Sequence, residues 1–262
     1  MGTTVRSPSG RRVTQVTMSR QQSQSRESRV STTVRFPNGR WDSPVPATTS
    51  GPTPERARPM PTTPRRPSPV PGEAAPGPDG ALRCPWATGT PDYLEYHDRE
   101  WGRPIRTDNG LFERLTLEAF QSGLSWLTIL RKREAFRRAF AGFDIAAVAA
   151  FDDRDRRRLL ADAGIVRNRA KVDAAIANAR AALGLTDGLA ALIWSFASEP
   201  GPAPATVADV PASTPQSKAL ALGLKRSGFV FVGPTTAYAL MQAAGLVNDH
   251  LADCWVREVD EP

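Results

Sequence analysis

The composition of the chain changes abruptly near residue 80, and this break decides which part can fold into a compact domain. The first 80 residues contain 14 of the 24 prolines and 12 arginines, with no cysteine or histidine. Large apolar side chains are scarce in this segment, so burial could not offset the entropy lost on ordering it. We therefore expect residues 1–80 to be a disordered Arg/Pro/Ser-rich tail and residues 81–262 to form one folded domain.

The positive charge of the chain is concentrated in this tail. Residues 1–80 carry 12 basic and 5 acidic side chains, whereas residues 81–262 carry 22 of each. The tail is either a spacer, with Met60 as a possible later start, or an arginine arm that adds nonspecific contacts to phosphate groups. No apolar signal region follows the first residues and no run of 18 apolar residues exists, so we expect a cytoplasmic protein with no membrane partner.

From Ala81 onward the sequence has the periodicity of amphipathic helices. Asp108 is a candidate N-cap for a helix from about Leu111 to Ser122, which Gly123 can end, and Ser125 can cap the next helix. Further helices are predicted at 126–140, 145–150, 154–163, 168–182, 189–196, 216–225 and 235–244. Residues 200–215 predict a loop, and SGFVFVG is too short and isolated for a sheet. The prediction is an all-α domain whose 182 residues suffice to bury a core.

The chain has two cysteines and two histidines, which form two pairs. Cys84 and His97 have the spacing C-x12-H near the start of the predicted domain, and His250 and Cys254 have H-x3-C near its end. Residues four apart on a helix share a face, which suits ligands of one tetrahedral ion, and the closed Cys₂His₂ set indicates a structural zinc. Unrelated buried residues and a Cys84–Cys254 disulfide are the alternatives, although a cytosolic setting disfavours the disulfide. The spacing alone leaves the choice open.

The segment RSGFVFVGPTTAYALMQAAG, residues 226–245, is typical of two helices joined by a short turn. Gly228 and Gly233 bracket the turn, and Pro234 is favoured at the first position of the second helix. In helix-hairpin-helix motifs the backbone N–H groups of such a turn bind a phosphate group without reading the bases. An ordinary helical hairpin has the same pattern, so DNA binding stays open at this point.

The segment LTLEAFQSGLSWLTIL, residues 115–130, places an acid inside an apolar helix. Glu118 and Gln121 are three residues apart and share one helix face, and Trp126 follows in the next helix. A carboxylate buried without a partner is costly. Glu118 therefore either faces solvent or has a function that offsets this cost.

Five segments carry a resemblance to a known family: RCPWATGTPDYLEYHDREWG, LTLEAFQSGLSWLTILRKRE, ADAGIVRNRAKVDAAIANAR, WSF and KRSGFVFVGPTTAYALMQAAGLVNDH. In this order, from about Arg83 to Cys254, they resemble the DNA-3-methyladenine glycosylase I family of the helix-hairpin-helix DNA glycosylases. The resemblance implies an all-α, two-lobed fold with the damaged base in a cleft. It implies base excision repair by hydrolysis of the N-glycosidic bond of 3-methyladenine in double-stranded alkylated DNA. We expect a monomer without an organic cofactor.

The resemblance also implies roles for single residues. One structural Zn²⁺ per chain would join the N- and C-terminal segments through Cys84, His97, His250 and Cys254. Glu118 would be the catalytic residue, surrounded in the base pocket by Tyr96, Trp126, Trp86, Tyr93 and Gln121. Tyr96 and Trp126 would supply flat faces on both sides of a flipped base. DNA contacts are expected from Gly123, Leu124, Gly228, Gly233 and Thr235, with Leu124 as a wedge in the gap left by the extruded nucleotide.

The sequence also departs from other members of the superfamily. Bifunctional members have a lysine just after the hairpin glycine, where this chain has Pro234, Thr235 and Thr236. Other members have an aspartate in a V-D-x-H setting, where this chain reads VNDH with Asn248 at that position and Asp249 one residue on. We therefore expect a monofunctional hydrolase, without lyase activity, that acts on cationic adducts whose bond is already labile.

Two alternatives accompany this reading. The first is a glycosylase of broader alkyl-base range, because Ala119 and Phe120 follow Glu118 where some relatives have smaller or more polar residues, which could reshape the pocket. The second is a zinc-containing DNA-binding protein without catalysis. The balanced charge of residues 81–262 disfavours a pure binding role, since nonspecific binding to duplex DNA usually needs an excess of basic residues.

Overall fold

The computed structural model describes residues 72–259, with side chains to residue 257; the predicted tail as far as residue 71 lies outside the described residues. A two-stranded antiparallel sheet comes first, in which β1 (Ala75–Pro76) pairs with β2 (Leu82–Arg83). The predicted boundary at residue 81 therefore falls inside this hairpin. Its second strand leads directly into Cys84.

Ten α-helices make up most of the described chain, in agreement with the predicted helical fold. The first five are α1 (Pro91–Arg99), α2 (Asp108–Gln121), α3 (Trp126–Ala139), α4 (Ile145–Ala149) and α5 (Asp153–Ala161). The others are α6 (Arg169–Leu183), α7 (Gly188–Trp194), α8 (Pro215–Arg226), α9 (Pro234–Ala243) and α10 (Trp255–Val259). Short 3₁₀ turns occur at Pro85–Gly89, Ala141–Phe143 and Val207–Asp209.

The predicted N-cap of α2 is wrong by one residue. Thr107 has an extended backbone, and its hydroxyl accepts a hydrogen bond from the N–H of Gly110 at 3.3 Å. Asp108 is instead the first helical residue, and its carboxylate accepts a hydrogen bond from the N–H of Ala190 at 2.7 Å. The acid thus ties the start of α7 to α2. The predicted cap Ser125 is confirmed, since its hydroxyl accepts from the N–H of Thr128.

The prediction also omits α1 and α10. The start of α1 has the usual signals, because the Thr90 hydroxyl accepts a hydrogen bond from the N–H of Tyr93 and Pro91 occupies the first turn. The segment 227–233, which the sequence analysis excludes from a sheet, contains no strand in the structure.

Helix α2 lies at the centre of the domain, where it packs against α3, α6, α7 and α9. Nine of its residues are buried, and Glu118 is among them. Phenylalanine side chains fill the space beside it: the rings of Phe120 and Phe136 are 4.7 Å apart, and those of Phe140 and Phe143 are stacked at 5.6 Å. Such pairs add about 0.5–1.5 kcal/mol each to the effect of burial. The helix that carries Glu118 is therefore held from several sides.

Within the described residues, no single helix is long and apolar enough to cross a membrane. Helices α6 and α7 meet such a test of length and composition only when taken together, and they are bent by 95° relative to each other.

A buried lysine fixes the end of α2. The ammonium group of Lys171, on α6, donates hydrogen bonds to the carbonyl oxygens of Phe120 at 2.9 Å and Ser122 at 2.6 Å. Carbonyl groups at a helix C-terminus lack partners within the helix, and a positive charge there also opposes the negative end of the helix dipole. Lys171 therefore stabilises the end of α2 and the start of the turn that leads to α3.

We predict that Lys171→Met lowers the free energy of unfolding by about 1–3 kcal/mol, because two hydrogen bonds from a charged donor are lost. Urea denaturation measures this loss. Lys218→Met is the matched control, since Lys218 is exposed on α8. If both variants unfold at the same urea concentration as the parent protein, Lys171 does not stabilise this helix end.

Candidate functional site

A cavity of about 390 Å³ lies beside α2, and all six residues predicted for the base pocket line it. Its lining includes Trp86, Tyr93, Tyr96, Glu118, Gln121 and Trp126, together with Cys84, Trp101, Val207, Val210, Ala239, Gln242, Asp249 and Leu251. Its size falls within the range of small-molecule sites, about 300–1,000 Å³. The walls are mostly aromatic and apolar, with two carboxylates among them.

Glu118 is the buried acid of this cavity, and only 7% of the residue is exposed. Burial raises its pKa to about 7, and the nearby positive charge of Arg114 opposes this rise. Burial destabilises the ionised carboxylate because the protein interior solvates charge less well than water. The protonated and ionised forms are therefore close in free energy at neutral pH, and a cationic ligand in the cavity would favour the ionised form.

The aromatic walls do not have the geometry predicted from the sequence. The rings of Tyr96 and Trp126 are tilted by 46°, with centroids 5.4 Å apart. A base stacked between two rings would need them roughly 7 Å apart, which is two stacking distances. The two rings therefore form adjacent walls of an aromatic corner rather than opposite faces. Trp86 meets Tyr93 edge-to-face at 5.8 Å.

Hydrogen bonds hold both tyrosines in place. The Tyr96 hydroxyl accepts a hydrogen bond from Nη1 of Arg114 at 2.9 Å. The Tyr93 hydroxyl accepts one from the N–H of Leu127, in the first turn of α3, at 3.0 Å. The buried indole N–H of Trp126 has no hydrogen-bond partner within the described part of the protein, so it is an available donor beside the cavity.

The second carboxylate of the cavity belongs to Asp249, in the loop after α9. Its Oδ2 accepts hydrogen bonds from the hydroxyl of Tyr238 at 2.5 Å and from Nε2 of Gln242 at 2.8 Å. Asn248 is not among the cavity-lining residues of the described chain; its side-chain oxygen accepts from the N–H of His250. Of the two neighbours in VNDH, the structure thus brings the aspartate to the cavity.

Ala119 and Phe120, at which the sequence departs from some relatives, are not among the described residues that line the cavity. Both residues are buried, and Phe120 packs against Phe136 in the core. Neither side chain therefore forms part of the pocket wall, and the expectation that they reshape it has no support in the lining. Successive residues of a helix point in different directions, so Glu118 can line the cavity while the next two side chains face the core.

The two cysteines and two histidines meet in one buried cluster, with donor atoms all within 4.8 Å of one another. Nδ1 of His250 lies 3.2 Å from Nε2 of His97. Sγ of Cys254 lies 3.4 Å from Nε2 of His97 and 3.5 Å from Nδ1 of His250. Sγ of Cys84 lies 3.9 Å from Nδ1 of His250. A tetrahedral zinc ion with ordinary bond lengths separates its ligand atoms by roughly 3.3–3.8 Å. The donor set and its spacing therefore fit such an ion.

Neighbouring groups orient the two imidazoles toward the centre of the cluster. Nδ1 of His97 lies 2.8 Å from the carboxylate of Asp98, and Nε2 of His250 lies 3.2 Å from the carbonyl oxygen of Trp101. With this donation, Nε2 of His97 and Nδ1 of His250 would face the centre of the cluster as ligand atoms for an ion. A hydrogen bond from the Cys84 thiol lowers the pKa of Cys254, as does the proximity of the two imidazole rings, and this favours a thiolate.

The structure decides one alternative for this cluster and corrects one expectation. Cys84 and Cys254 are free thiols, so the disulfide alternative is excluded. His250 and Cys254 do not lie on a helix; they flank a turn that ends where α10 begins at Trp255. The turn is closed by a hydrogen bond from the N–H of Cys254 to the carbonyl of Leu251, at 2.9 Å. This turn brings the two side chains together as a helix would.

Comparisons with known proteins agree with this geometry. The family model described as methyladenine glycosylase matches residues 86–258. DNA-3-methyladenine glycosylase 1 of Escherichia coli (strain K12) is 46% identical over 177 residues, covering 66% of this chain and 95% of the relative. The chain belongs to the methyladenine glycosylase family.

Solved structures of this family have the same fold. A crystal structure of 3-methyladenine DNA glycosylase I matches with a TM-score of 0.64 and 46% identity, covering 66% of this chain and 98% of that one. A structure from Staphylococcus aureus, which concerns 3-methyladenine recognition, matches with a TM-score of 0.63 and 34% identity, covering 66% and 94%. The first 85 residues lie outside the range that the family model matches.

The predicted DNA-contacting turn between α2 and α3 is on the surface. Gly123 has a φ of +81°, a conformation that glycine adopts without strain, and Leu124 is 41% exposed. Gln121 lines the cavity two residues before Gly123, and Trp126 lines it two residues after Leu124. The apolar side chain of Leu124 is thus exposed near the cavity rather than buried in the core.

The predicted hairpin joins α8 and α9, which pack against each other. Gly228 has a φ of +90°, and Gly233 occupies the N-cap of α9, with Thr235 exposed in the first turn. The side-chain amide of Asn178 exchanges two hydrogen bonds with the backbone of Val230, at 2.8 Å and 3.1 Å. The turn is therefore fixed to α6, with the N-terminus of α9 at the surface.

Arg114 and Trp101 are site residues that the sequence analysis missed. Arg114 lies one helical turn before Glu118, and the four-residue spacing of an arginine and a glutamate in an apolar helix is the signal that could have found it. Trp101 packs against His250 with ring centroids 4.6 Å apart and also lines the cavity. No spacing in the sequence connects Trp101 with the distant His250.

We predict that Glu118→Gln stabilises the protein increasingly as the pH rises. The folded protein, with a pKa near 7, retains a proton that the unfolded chain releases near 4.5. The cost of the ionised carboxylate therefore appears as the pH rises from about 4.5 to 7, and it reaches up to about 3 kcal/mol. Urea denaturation of both proteins across this range measures the difference. If the difference in unfolding free energy between the two proteins does not change with pH, the pKa of Glu118 is not raised by folding.

Proposed function

We propose that the chain is a DNA-3-methyladenine glycosylase of base excision repair. It hydrolyses the N-glycosidic bond of 3-methyladenine in alkylated double-stranded DNA, releases the free base and leaves an abasic site. The observation that carries the proposal is the buried carboxylate of Glu118 in an aromatic cavity, in a chain of the methyladenine glycosylase family. The S. aureus relative, whose structure concerns 3-methyladenine recognition, supports the identity of the base.

The cavity suits a cationic base. Adenine methylated at N3 carries a positive charge while it is attached to the sugar. The faces of Tyr96, Trp86 and Trp126 attract a cation, and the Glu118 carboxylate adds a charge-assisted hydrogen bond. A neutral purine gains little from the carboxylate, which would then be buried without a partner. A base reaches a cavity of this kind only after it leaves the helical stack.

The reaction needs few groups from the protein because the positive charge already weakens the bond. As the bond between C1′ and the purine breaks, its electron pair neutralises the base, which leaves without accepting a proton. Water adds a hydroxyl group to C1′ and releases one proton. Glu118 holds the cationic base in a desolvated cavity, so catalysis depends mainly on binding and on exclusion of water. No lysine follows Gly233, which supports a hydrolase without lyase activity.

Two surface elements are proposed to hold the DNA. Leu124, exposed near the cavity, is suited to fill the gap left by the extruded nucleotide. The hairpin between α8 and α9 is proposed as a helix-hairpin-helix motif, in which N–H groups near Gly233 and Thr235 face a phosphate group. The exposed N-terminus of α9 supports this role, because free N–H groups and the helix dipole favour an anion there.

We also infer that Cys84, His97, His250 and Cys254 hold one structural Zn²⁺. The spacing of the four donor atoms supports this assignment, and a set of four protein ligands leaves no open position for hydrolysis. The ion would join the segment before α1 to the segment before α10. Trp86, two residues after Cys84, lines the base cavity, so the same ion would fix one cavity wall.

The arginine-rich tail is proposed to be dispensable for the chemistry. It lies outside the range matched to the family, and its positive charge suits nonspecific contacts with phosphate groups. The bacterial relatives support a cytoplasmic setting for the enzyme.

We predict that Glu118→Gln lowers the single-turnover rate of 3-methyladenine release by about one to two decades. The substitution keeps the shape of the side chain but removes the charge, and a hydrogen bond to a charged group is worth about 1.5–3 kcal/mol. Glu118→Ala should be at least as slow. Chromatography of bases released from methylated duplex DNA measures the rates, and a thermal melt of each variant verifies its folding.

The matched control is Glu95→Gln, because Glu95 is an exposed acid on α1 whose partner is Arg99. Its rate should equal that of the parent protein. Full activity in folded Glu118→Gln would refute the role of the charge, and full activity in Glu118→Ala would refute the assigned site.

We predict that Cys84→Ser and Cys254→Ser each remove zinc and lower the melting temperature together, because metal binding and folding are coupled in a closed site. Atomic absorption on the purified protein measures the zinc, and calorimetry measures the melting temperature. Asp253→Asn is the control, since Asp253 lies in the same turn but is exposed, and it should retain the ion. A parent protein without zinc, with both serine variants equally stable, would contradict the assignment.

A further inference from the structure

Arg114 is a buried cation beside the cavity, and the proposed reaction does not yet account for it. Only 7% of the residue is exposed, although it lies on a helix that is apolar around it. Burying a guanidinium group is costly unless charged and polar partners surround it. A buried positive charge beside a site for a cationic base would also repel that base. The contacts of Arg114 show which side chains of the site it stabilises.

The guanidinium group supports both rings of the aromatic corner. Nη1 donates to the Tyr96 hydroxyl at 2.9 Å. The central carbon lies 5.2 Å from the centroid of the Tyr96 ring and 5.8 Å from that of the Trp126 ring. These are distances at which a cation and an aromatic face attract each other. Arg114 therefore fixes the orientation of Tyr96 and packs against both rings of the corner, although it is not among the described residues that line the cavity.

Arg114 also acts on the charge of Glu118. The two residues are four apart on α2 and thus neighbours on one helix face. Among the described residues, Arg114 is the one charged group that lowers the pKa of Glu118 appreciably, against the effect of burial. The other titratable groups that line the same cavity come from the segment before α1, from α1 and from the loop after α9: Cys84, Tyr93, Tyr96 and Asp249.

A second acid, Glu100, which is not among the cavity-lining residues of the described chain, balances the charge of Arg114. Oε2 of Glu100 lies 3.7 Å from Nη2 of Arg114, and Oε1 of Glu100 accepts a hydrogen bond from Arg133 at 2.7 Å. Glu100 is thus shared by two arginines. This arrangement holds the guanidinium group of Arg114 in place while the carboxylate of Glu118 lines the cavity.

We propose that Arg114 is a positioning residue of the base site, which holds the Tyr96 ring in place and favours the ionised form of the Glu118 carboxylate. The inference rests on the proposed function of the cavity. Arg114 acts through Tyr96 and Glu118, since it does not itself line the cavity as described. It broadens the range of pH over which the site can attract a cationic base.

The experiment compares the pH profiles of kcat/KM for 3-methyladenine release, which report the ionisation of groups in the free enzyme. Arg114→Met removes the charge and keeps much of the volume. Because removal of a nearby opposite charge raises a carboxyl pKa, the acidic limb should move to higher pH, by about one pH unit or more. On that limb kcat/KM of Arg114→Met should be about tenfold lower than that of the parent protein, and the difference should become smaller at high pH.

Two further variants separate the charge from the hydrogen bond. Arg114→Lys keeps a positive charge, so its acidic limb should stay near that of the parent protein. Tyr96→Phe removes the acceptor of the hydrogen bond but keeps Arg114. Its kcat/KM should fall, while the midpoint of its acidic limb should stay at that of the parent protein. If Arg114→Met does not fold, Arg114→Gln is the second neutral variant. An Arg114→Met profile with the parent midpoint and a uniform loss at every pH would overturn the proposal.

A measurement without catalysis distinguishes failure of this inference from failure of the proposed function. The stability gained on Glu118→Gln, followed as a function of pH, reports the ionisation of Glu118 directly. In both backgrounds the gain should begin near pH 4.5, which the unfolded chain sets, but in the Arg114→Met background it should continue to increase to a higher pH and reach a larger final value. If it does so but no base is released, the proposed function is wrong and the role of Arg114 holds. If the gain levels off at the same pH and at the same value in both backgrounds, Arg114 does not control Glu118.

Discussion

The desolvation of the Glu118 carboxylate is the constraint on which the rest of the site depends. A central helix packed on several sides places this acid beside an aromatic cavity, where ionisation is costly. A cationic base offsets that cost, whereas a neutral one does not. In the proposed function, the same burial that destabilises the charged side chain in the free protein would give the cavity a preference for a charged ligand.

The cavity also depends on contacts between distant parts of the sequence. Cys84 precedes the aromatic residues of α1, while His250 and Cys254 follow Asp249, which forms another part of the lining. The cluster of thiols and imidazoles thus joins the two chain segments that meet at the cavity. A structural ion at this point would contribute to folding and would also set the distance between two walls of the base site.

Local patterns predicted much of this structure, and contacts between distant segments explain most of what they missed. Helix boundaries follow from periodicity and from caps such as Ser125, and the Cys/His pairs predict a cluster that the structure confirms. The tilt between Tyr96 and Trp126 depends on the packing of α1 against α3, which no spacing encodes. The selection of Asp249 over Asn248 likewise depends on Tyr238 and Gln242, on the preceding helix.

The central claim is that a buried anion selects a cationic base, and the most direct measurement is the set of bases that the purified protein releases. Duplex DNA containing 3-methyladenine and, in a second preparation, the neutral base hypoxanthine is incubated with excess protein, and the released bases are separated by chromatography. The account predicts release of 3-methyladenine and none of hypoxanthine above the rate without protein. Release of hypoxanthine at a comparable rate, or release of neither base, would contradict it.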